Sequence, residues 1–157
     1  MKIKGIIDED LINYKKPCMV IEMPYCTFKC DKECGEQVCQ NSALATAANI
    51  DISIDELAYR YSINDITQAI CFQGLEPFDS WSDLSLLIRT IRATCEDDIV
   101  IYTGYNEEEI KPYIDFLSKF ENIIIKFGRF IPNQESHYDE LLGVKLASPN
   151  QYAKRIS

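Results

Sequence analysis

Seven cysteines occur in this 157-residue chain, and four of them, Cys26, Cys30, Cys34 and Cys39, crowd into one short stretch. An odd number so unevenly spread argues against a secreted disulfide framework and for metal or redox chemistry. Four thiolates suit a tetrahedral zinc ion, although zinc sites usually pair two CxxC knuckles and this chain has none. Three or four thiolates from one loop also suit a cubane iron–sulfur cluster. Spacing alone leaves iron–sulfur, zinc and unrelated thiols all open. A second stretch with chemical potential is Gln73-Gly74-Leu75-Glu76-Pro77-Phe78. Gly74 lets backbone approach a ligand, Glu76 offers a carboxylate to a cationic amine, and Pro77 steers the chain into a helix. A plain turn before a helix uses the same residue types, so this stretch gains weight only from the cysteine loop ahead of it.

Both features need elements to hold them. Met19-Val20-Ile21 with Met23, Ala69–Phe72, Ile99–Tyr102 and Ile123–Ile125 are short, unalternated apolar runs, as expected of strands buried on both faces of a parallel sheet. Trp81, Leu84, Leu87, Ile88 and Ile91 form a helical stripe between the second and third runs. Ile110, Tyr113, Ile114, Leu117 and Phe120 form another between the third and fourth. Ser53 with Glu56, and Asn106 with Glu109, read as capped helix starts. Val144–Leu146 adds one more strand. The alternation predicts βαβ units, an α/β fold and a single domain over residues 1–157. The cysteines and Glu76 then both fall at C-terminal strand ends, where such sheets bind ligands.

The composition is 46% hydrophobic and 26% charged, with 16 basic against 25 acidic residues and a net charge of −9. That balance suits a soluble domain and disfavours nucleic acid or an anionic membrane as partner. No apolar run is long enough to span a bilayer and no secretory segment follows Met1, so a cytoplasmic setting is expected. Cys18, Cys71 and Cys95 read as structural thiols and His137 as a solvated loop histidine. Trp81 and the Tyr113–Phe120 stripe read as core, and Glu107–Glu109 as a helix cap. Asn150 and Gln151 fit either a cofactor wall or a turn.

Taken together, four stretches resemble the radical S-adenosylmethionine (SAM) superfamily, and within it the activating enzymes of anaerobic ribonucleotide reductase. They are Cys26-Thr-Phe-Lys-Cys30; Gly74-Leu75-Glu76-Pro77; Ile101-Tyr102-Thr103-Gly104-Tyr105; and Gly128-Arg129-Phe130 followed by Ala147-Ser148-Pro149-Asn150-Gln151. The resemblance implies an abbreviated parallel (βα) partial barrel with one [4Fe-4S] cluster and bound SAM. It also implies a 5′-deoxyadenosyl radical that takes hydrogen from a glycine of a larger partner. That partner would be a glycyl-radical protein such as an anaerobic ribonucleotide reductase, served by a flavodoxin-like or other low-potential reductant. A chain this short leaves little room to enclose a small substrate, which favours an exposed protein loop. Cys26 and Cys30 would hold the cluster. Gly74, Leu75 and Glu76 would receive the methionyl amine, Val38 would pack on adenine, and Thr103 and Tyr105 would line the cofactor or substrate side.

Two departures from the family pattern stand out. Glu33 occupies the place of the third cysteine, so the resemblance implies Cys39 as the third ligand, following an expanded Asp31–Val38 loop, with Cys34 as the alternative. Val38 and Asn41 supply the flanks that the family shows around that cysteine. Leu75 replaces a glycine, which would strain the backbone if a positive φ were needed there. These departures also support a rival expectation, an iron–sulfur binding or electron-transfer domain that has lost SAM cleavage. A zinc-stabilised binding module is a third.

Overall fold

A computed structural model describes residues 1–157. Its centre is an open six-stranded sheet. The strands are β2 (Gly5–Asp10), β3 (Cys18–Met23), β5 (Ala69–Gly74), β6 (Asp98–Tyr102), β7 (Ile123–Phe127) and β10 (Tyr152–Arg155). They lie in the order β10-β7-β6-β5-β3-β2. The inner four are mutually parallel, and β2 and β10 close the edges antiparallel. The architecture is therefore α/β with a mostly parallel sheet. It is not a closed barrel, because β2 and β10 each pair on one side only.

The four anticipated central strands are the four parallel ones. Four further strands carry no periodic signal: β1 (Lys2–Ile3) and its partner β4 (Ile50–Asp51), and the edge strands β2 and β10. Acidic Asp8 and Glu9 in β2 break the apolar pattern, as an edge strand facing solvent allows, while Asp10 is buried and accepts from the Ile12 and Asn13 N–H groups. His137 is also placed differently from expectation. It opens β8 (His137–Asp139), which pairs with β9 (Val144–Leu146), and its Nδ1 is buried without a partner. Three-residue strands are too short to display a period.

Helices α3 (Ile54–Ser62), α4 (Trp81–Arg92) and α5 (Lys111–Leu117) contribute to one face of the sheet. Ser53 Oγ accepts the Glu56 N–H at 3.0 Å, the expected cap of α3. The anticipated helix over Ile110–Phe120 is instead a 3-10 turn at Glu107–Ile110 followed by α5. Pro112 has no N–H for an i→i−4 bond, so one continuous α-helix is disfavoured there. Asn106 N–H donates to Glu109 Oε2 at 2.8 Å, which closes the start of that turn. Two small helices, α1 (Lys29–Cys34) and α2 (Ser42–Thr46), lie between β3 and β4 and bury no residue. No helix is long and apolar enough to cross a membrane.

Strand alternation sorts the core into two faces. Met19, Ile21, Met23, Ile70, Phe72, Ile99, Ile101, Ile123 and Ile125 belong to the large cluster with Leu84, Leu87, Ile88 and Leu117 of the helices. Phe78, Trp81 and Tyr113 stack beside it, the last two with centroids 4.4 Å apart. Cys18, Val20, Cys71, Val100 and Ile124 point the other way, into a smaller cluster with Tyr14, Leu142 and Leu146. On that second face the next outward step along each parallel strand is polar: Glu22, Gln73, Tyr102 and Lys126. Glu22 sits beside Gln73, and Tyr102 beside Lys126, in the sheet register. Apolar packing gives way to a polar row at the C-terminal ends of the strands.

Candidate metal centre

That polar row forms part of the wall of a cavity of about 370 Å³, within the usual range for small-molecule sites. Cys26, Cys30 and Cys39 line it, together with Gly74, Leu75, Glu76, Thr103 and Gly104. Cys34 does not; it is exposed at the end of α1. A negative charge on Cys39 would raise the thiol pKa of both Cys26 and Cys30, which places the three sulfurs in one electrostatic neighbourhood.

The cysteine loop is fastened to the sheet at several points. Glu76 N–H donates to the Tyr25 carbonyl at 2.8 Å, and Thr27 N–H donates to Asp79 Oδ2 at 2.7 Å. Phe28 caps α1 in the left-handed region at φ 53°, and its N–H reaches Cys26 Sγ at 3.2 Å. Burial pushes the Cys26 thiol up to about 11 and raises that of Cys30, against the N–H groups of Phe28 and Phe130 respectively. Both must lose a proton to bind metal, so loading releases protons. No three His, Cys, Asp or Glu side chains converge on a point fit for a single ion. The cysteine donors that line the cavity are three thiols, the kind of all-sulfur ligation a cubane takes from cysteine.

Glu76 is the most constrained polar group here. Its place after a strand suggests an exposed loop; it is in fact buried. Its Oε1 accepts from Phe78 N–H at 3.1 Å and Thr103 Oγ1–H at 2.7 Å, and its Oε2 from Gly104 N–H at 2.9 Å. Burial pushes its carboxyl up to about 7, against those three donors. A carboxylate has roughly four acceptor positions, so one on Oε2 stays free. Lys126 is buried nearby and donates to the Gly128 carbonyl at 3.0 Å; burial lowers it to about 8, while Glu76 and Cys30 oppose that shift.

Gly74 adopts φ +86°, and a Cβ there would meet Leu44 Cδ2 at 2.9 Å and Glu22 Cα at 3.2 Å. Its carbonyl accepts from Asn41 Nδ2 at 2.6 Å, tying the end of the cysteine loop to β5. Leu75 has no positive φ, so the replacement of glycine there strains nothing. Gly74→Ala is expected to cost about 1–3 kcal/mol for the left-handed backbone alone, with more from the contacts. A thermal melt of the cluster-free chain checks this.

Other anticipated residues separate by location. Thr103 is buried, lines the cavity and donates to Glu76. Tyr105 sits on the outer side of the cysteines, in a recess shared with Lys29 and Arg129; its hydroxyl donates to Asp79 Oδ1 at 2.6 Å. Val38 is half-buried and does not line the main cavity. Asn150 Nδ2 donates to the Arg129 carbonyl and Gln151 Nε2 to that of Gly128, so both clamp the Gly128–Phe130 turn, and Gln151 also lines the cavity. Arg129 ion-pairs with Glu109 at 2.6 Å and with Glu33 at 2.7 Å. Glu22, Gln73, Tyr102 and Lys126 were not anticipated. Their signal is the polar residue two positions beyond Val20, Cys71, Val100 and Ile124.

The fold and this cavity define an α/β protein whose cysteine loop meets a carboxylate at the C-terminal edge of a parallel sheet. Residues 18–151 match the model of the 4Fe-4S single cluster domain family, and the chain belongs to that family. The match covers most of the chain, including all four loop cysteines and Glu76. No curated protein and no solved structure shows significant similarity.

Proposed function

We propose that the chain is a radical SAM enzyme of the activase type, with the sheet serving as a partial barrel. In this reading Cys26, Cys30 and Cys39 hold the [4Fe-4S] cluster and leave an open iron for SAM. When bound, the cluster and SAM supply a 5′-deoxyadenosyl radical. The substrate is a glycine in a larger protein such as an anaerobic ribonucleotide reductase, and a flavodoxin-like or other low-potential donor provides the electron.

One observation carries the reading: three cysteines and the buried Glu76 share a cavity at the C-terminal ends of four parallel strands. Glu76 keeps one acceptor position on Oε2 for a methionyl ammonium, and Thr103 holds the carboxylate in place. Gly74 and Leu75 line the adjoining edge. Glu22, Gln73 and Lys126 offer acceptors and donors to an incoming peptide. Val38, next to Cys39 in sequence though outside the main cavity lining, would be the residue to pack on adenine, and Tyr105 supports the cysteine loop from outside through Asp79. A reducing cytoplasmic setting suits seven free thiols.

The test is anaerobic reconstitution followed by dithionite and SAM. Release of 5′-deoxyadenosine is the expected result. A loaded cluster that releases none would favour the second reading, a non-catalytic iron–sulfur or electron-transfer domain. One observation supports that alternative: three internal donors already occupy Glu76, as they would in a purely structural role.

A further inference from the structure

We infer that Asp31 is the positioning residue that delivers Cys39 to the cluster. The inference rests on the ligand set proposed above. Two features of α1 lead to it. One turn beyond Cys30 stands Glu33, in the place of the family's third cysteine, and the Arg129 guanidinium holds its carboxylate at 2.7 Å. That position contributes no thiol, and Cys34 at the end of the helix is exposed and does not line the cavity, so the third thiol on the cavity is Cys39, beyond the helix. Asp31, on the same helix, turns its side chain to the returning strand of the loop. Its Oδ1 accepts both the Val38 N–H at 2.9 Å and the Cys39 N–H at 2.8 Å.

The pair of bonds fixes the two successive amides on either side of Val38, and hence the backbone that enters Cys39. It spans seven and eight residues of sequence that otherwise lack regular structure beyond α1. Closing a loop of this length costs little extra entropy, but holding it in one geometry needs a fixed point. Asn41, two residues later, supplies a second one through the Gly74 carbonyl. Cys34 has no such restraint and faces solvent. The expanded loop is thus a clamp: Glu33 is removed by Arg129, and Cys39 is brought in by Asp31.

The experiment reconstitutes the full chain anaerobically as native protein, Asp31→Ala, Asp31→Asn and Cys39→Ser. Each is read by iron per chain, the EPR spectrum of the reduced cluster and resistance to a chelator. Outer-sphere partners of metal ligands typically contribute roughly 10- to 100-fold in affinity, and Asp31→Ala should lose its cluster to chelator more readily by about that factor. Asp31→Asn keeps an amide oxygen at the accepting position and should restore the native EPR spectrum. Melting of the cluster-free variants should match the native chain, because α1 buries no residue. A native cluster in Asp31→Ala alongside loss in Cys39→Ser overturns the role of Asp31 and leaves the ligand set standing. A native cluster in Cys39→Ser overturns the ligand set itself. Equal loss in Asp31→Asn and Asp31→Ala, with both chains folded, overturns the hydrogen-bond geometry as the cause.

Discussion

Replacing Cys39 with Ser is expected to abolish cluster binding, while the same change at Cys34 leaves it intact. Cysteine thiolates are the normal ligands of such clusters, and a hydroxyl is a far poorer one. Cys39 shares the cavity wall with Cys26 and Cys30 and acts electrostatically on both. Cys34 ends α1 in solvent, one residue before Gly35 in the left-handed region. Cys26→Ala and Cys30→Ala should behave as Cys39→Ser does, with bound iron and the reduced EPR signal falling sharply. A chain that keeps a near-stoichiometric cluster after loss of Cys26 would place the metal elsewhere. A structure of the loaded chain with Cys34 sulfur on iron would reverse the choice between Cys34 and Cys39.

The parallel sheet was legible because Met19–Met23, Ala69–Phe72, Ile99–Tyr102 and Ile123–Ile125 are buried on both faces and therefore apolar at nearly every position. Their order along the chain, separated by helical stripes, dictated parallel pairing. The edge strands were not legible for the converse reason: β2 and β10 carry charge because one side of each meets solvent. The cysteine loop and Glu76 announced themselves by residue type, and the match over residues 18–151 supports a cluster-binding domain.

Burial of Glu76 was harder to read, since turns after strands are usually exposed. It follows from one distant stretch closing over it, Thr103 and Gly104 just after β6, together with the Phe78 N–H of its own turn. Likewise nothing local announces that Arg129 would ion-pair with both Glu33 and Glu109, residues far from it in sequence. Those contacts exist only after the sheet brings the ends of β3, β5, β6 and β7 together. Sequence distance hides them, although each partner is an ordinary polar residue.

Glu76→Gln is expected to destabilise the cluster-free chain and to change how its stability depends on pH. The carboxylate uses both oxygens as acceptors, for the N–H groups of Phe78 and Gly104 and the hydroxyl of Thr103. A glutamine has one oxygen, so whichever way its amide turns, one backbone N–H faces an NH₂ group. A buried donor left without a partner costs about 1–3 kcal/mol. The native chain has an opposing burden, because burial pushes the Glu76 carboxyl from an ordinary 4.5 up to about 7. Between those values the folded chain keeps a proton that the unfolded chain has released, so this group's contribution to stability falls as pH rises through that window. The substituted glutamine does not titrate. The variant should therefore be clearly less stable than the native chain near pH 5, with the deficit shrinking by pH 8, as urea unfolding at the two values would show. Binding of SAM to the native chain should strengthen as pH rises through about 7, since the ionised carboxylate is the form that attracts an ammonium, and Glu76→Gln should lose that dependence. An unchanged deficit at both pH values would mean that Glu76 does not titrate in this window, and SAM binding indifferent to the substitution would confine the residue to holding the turn.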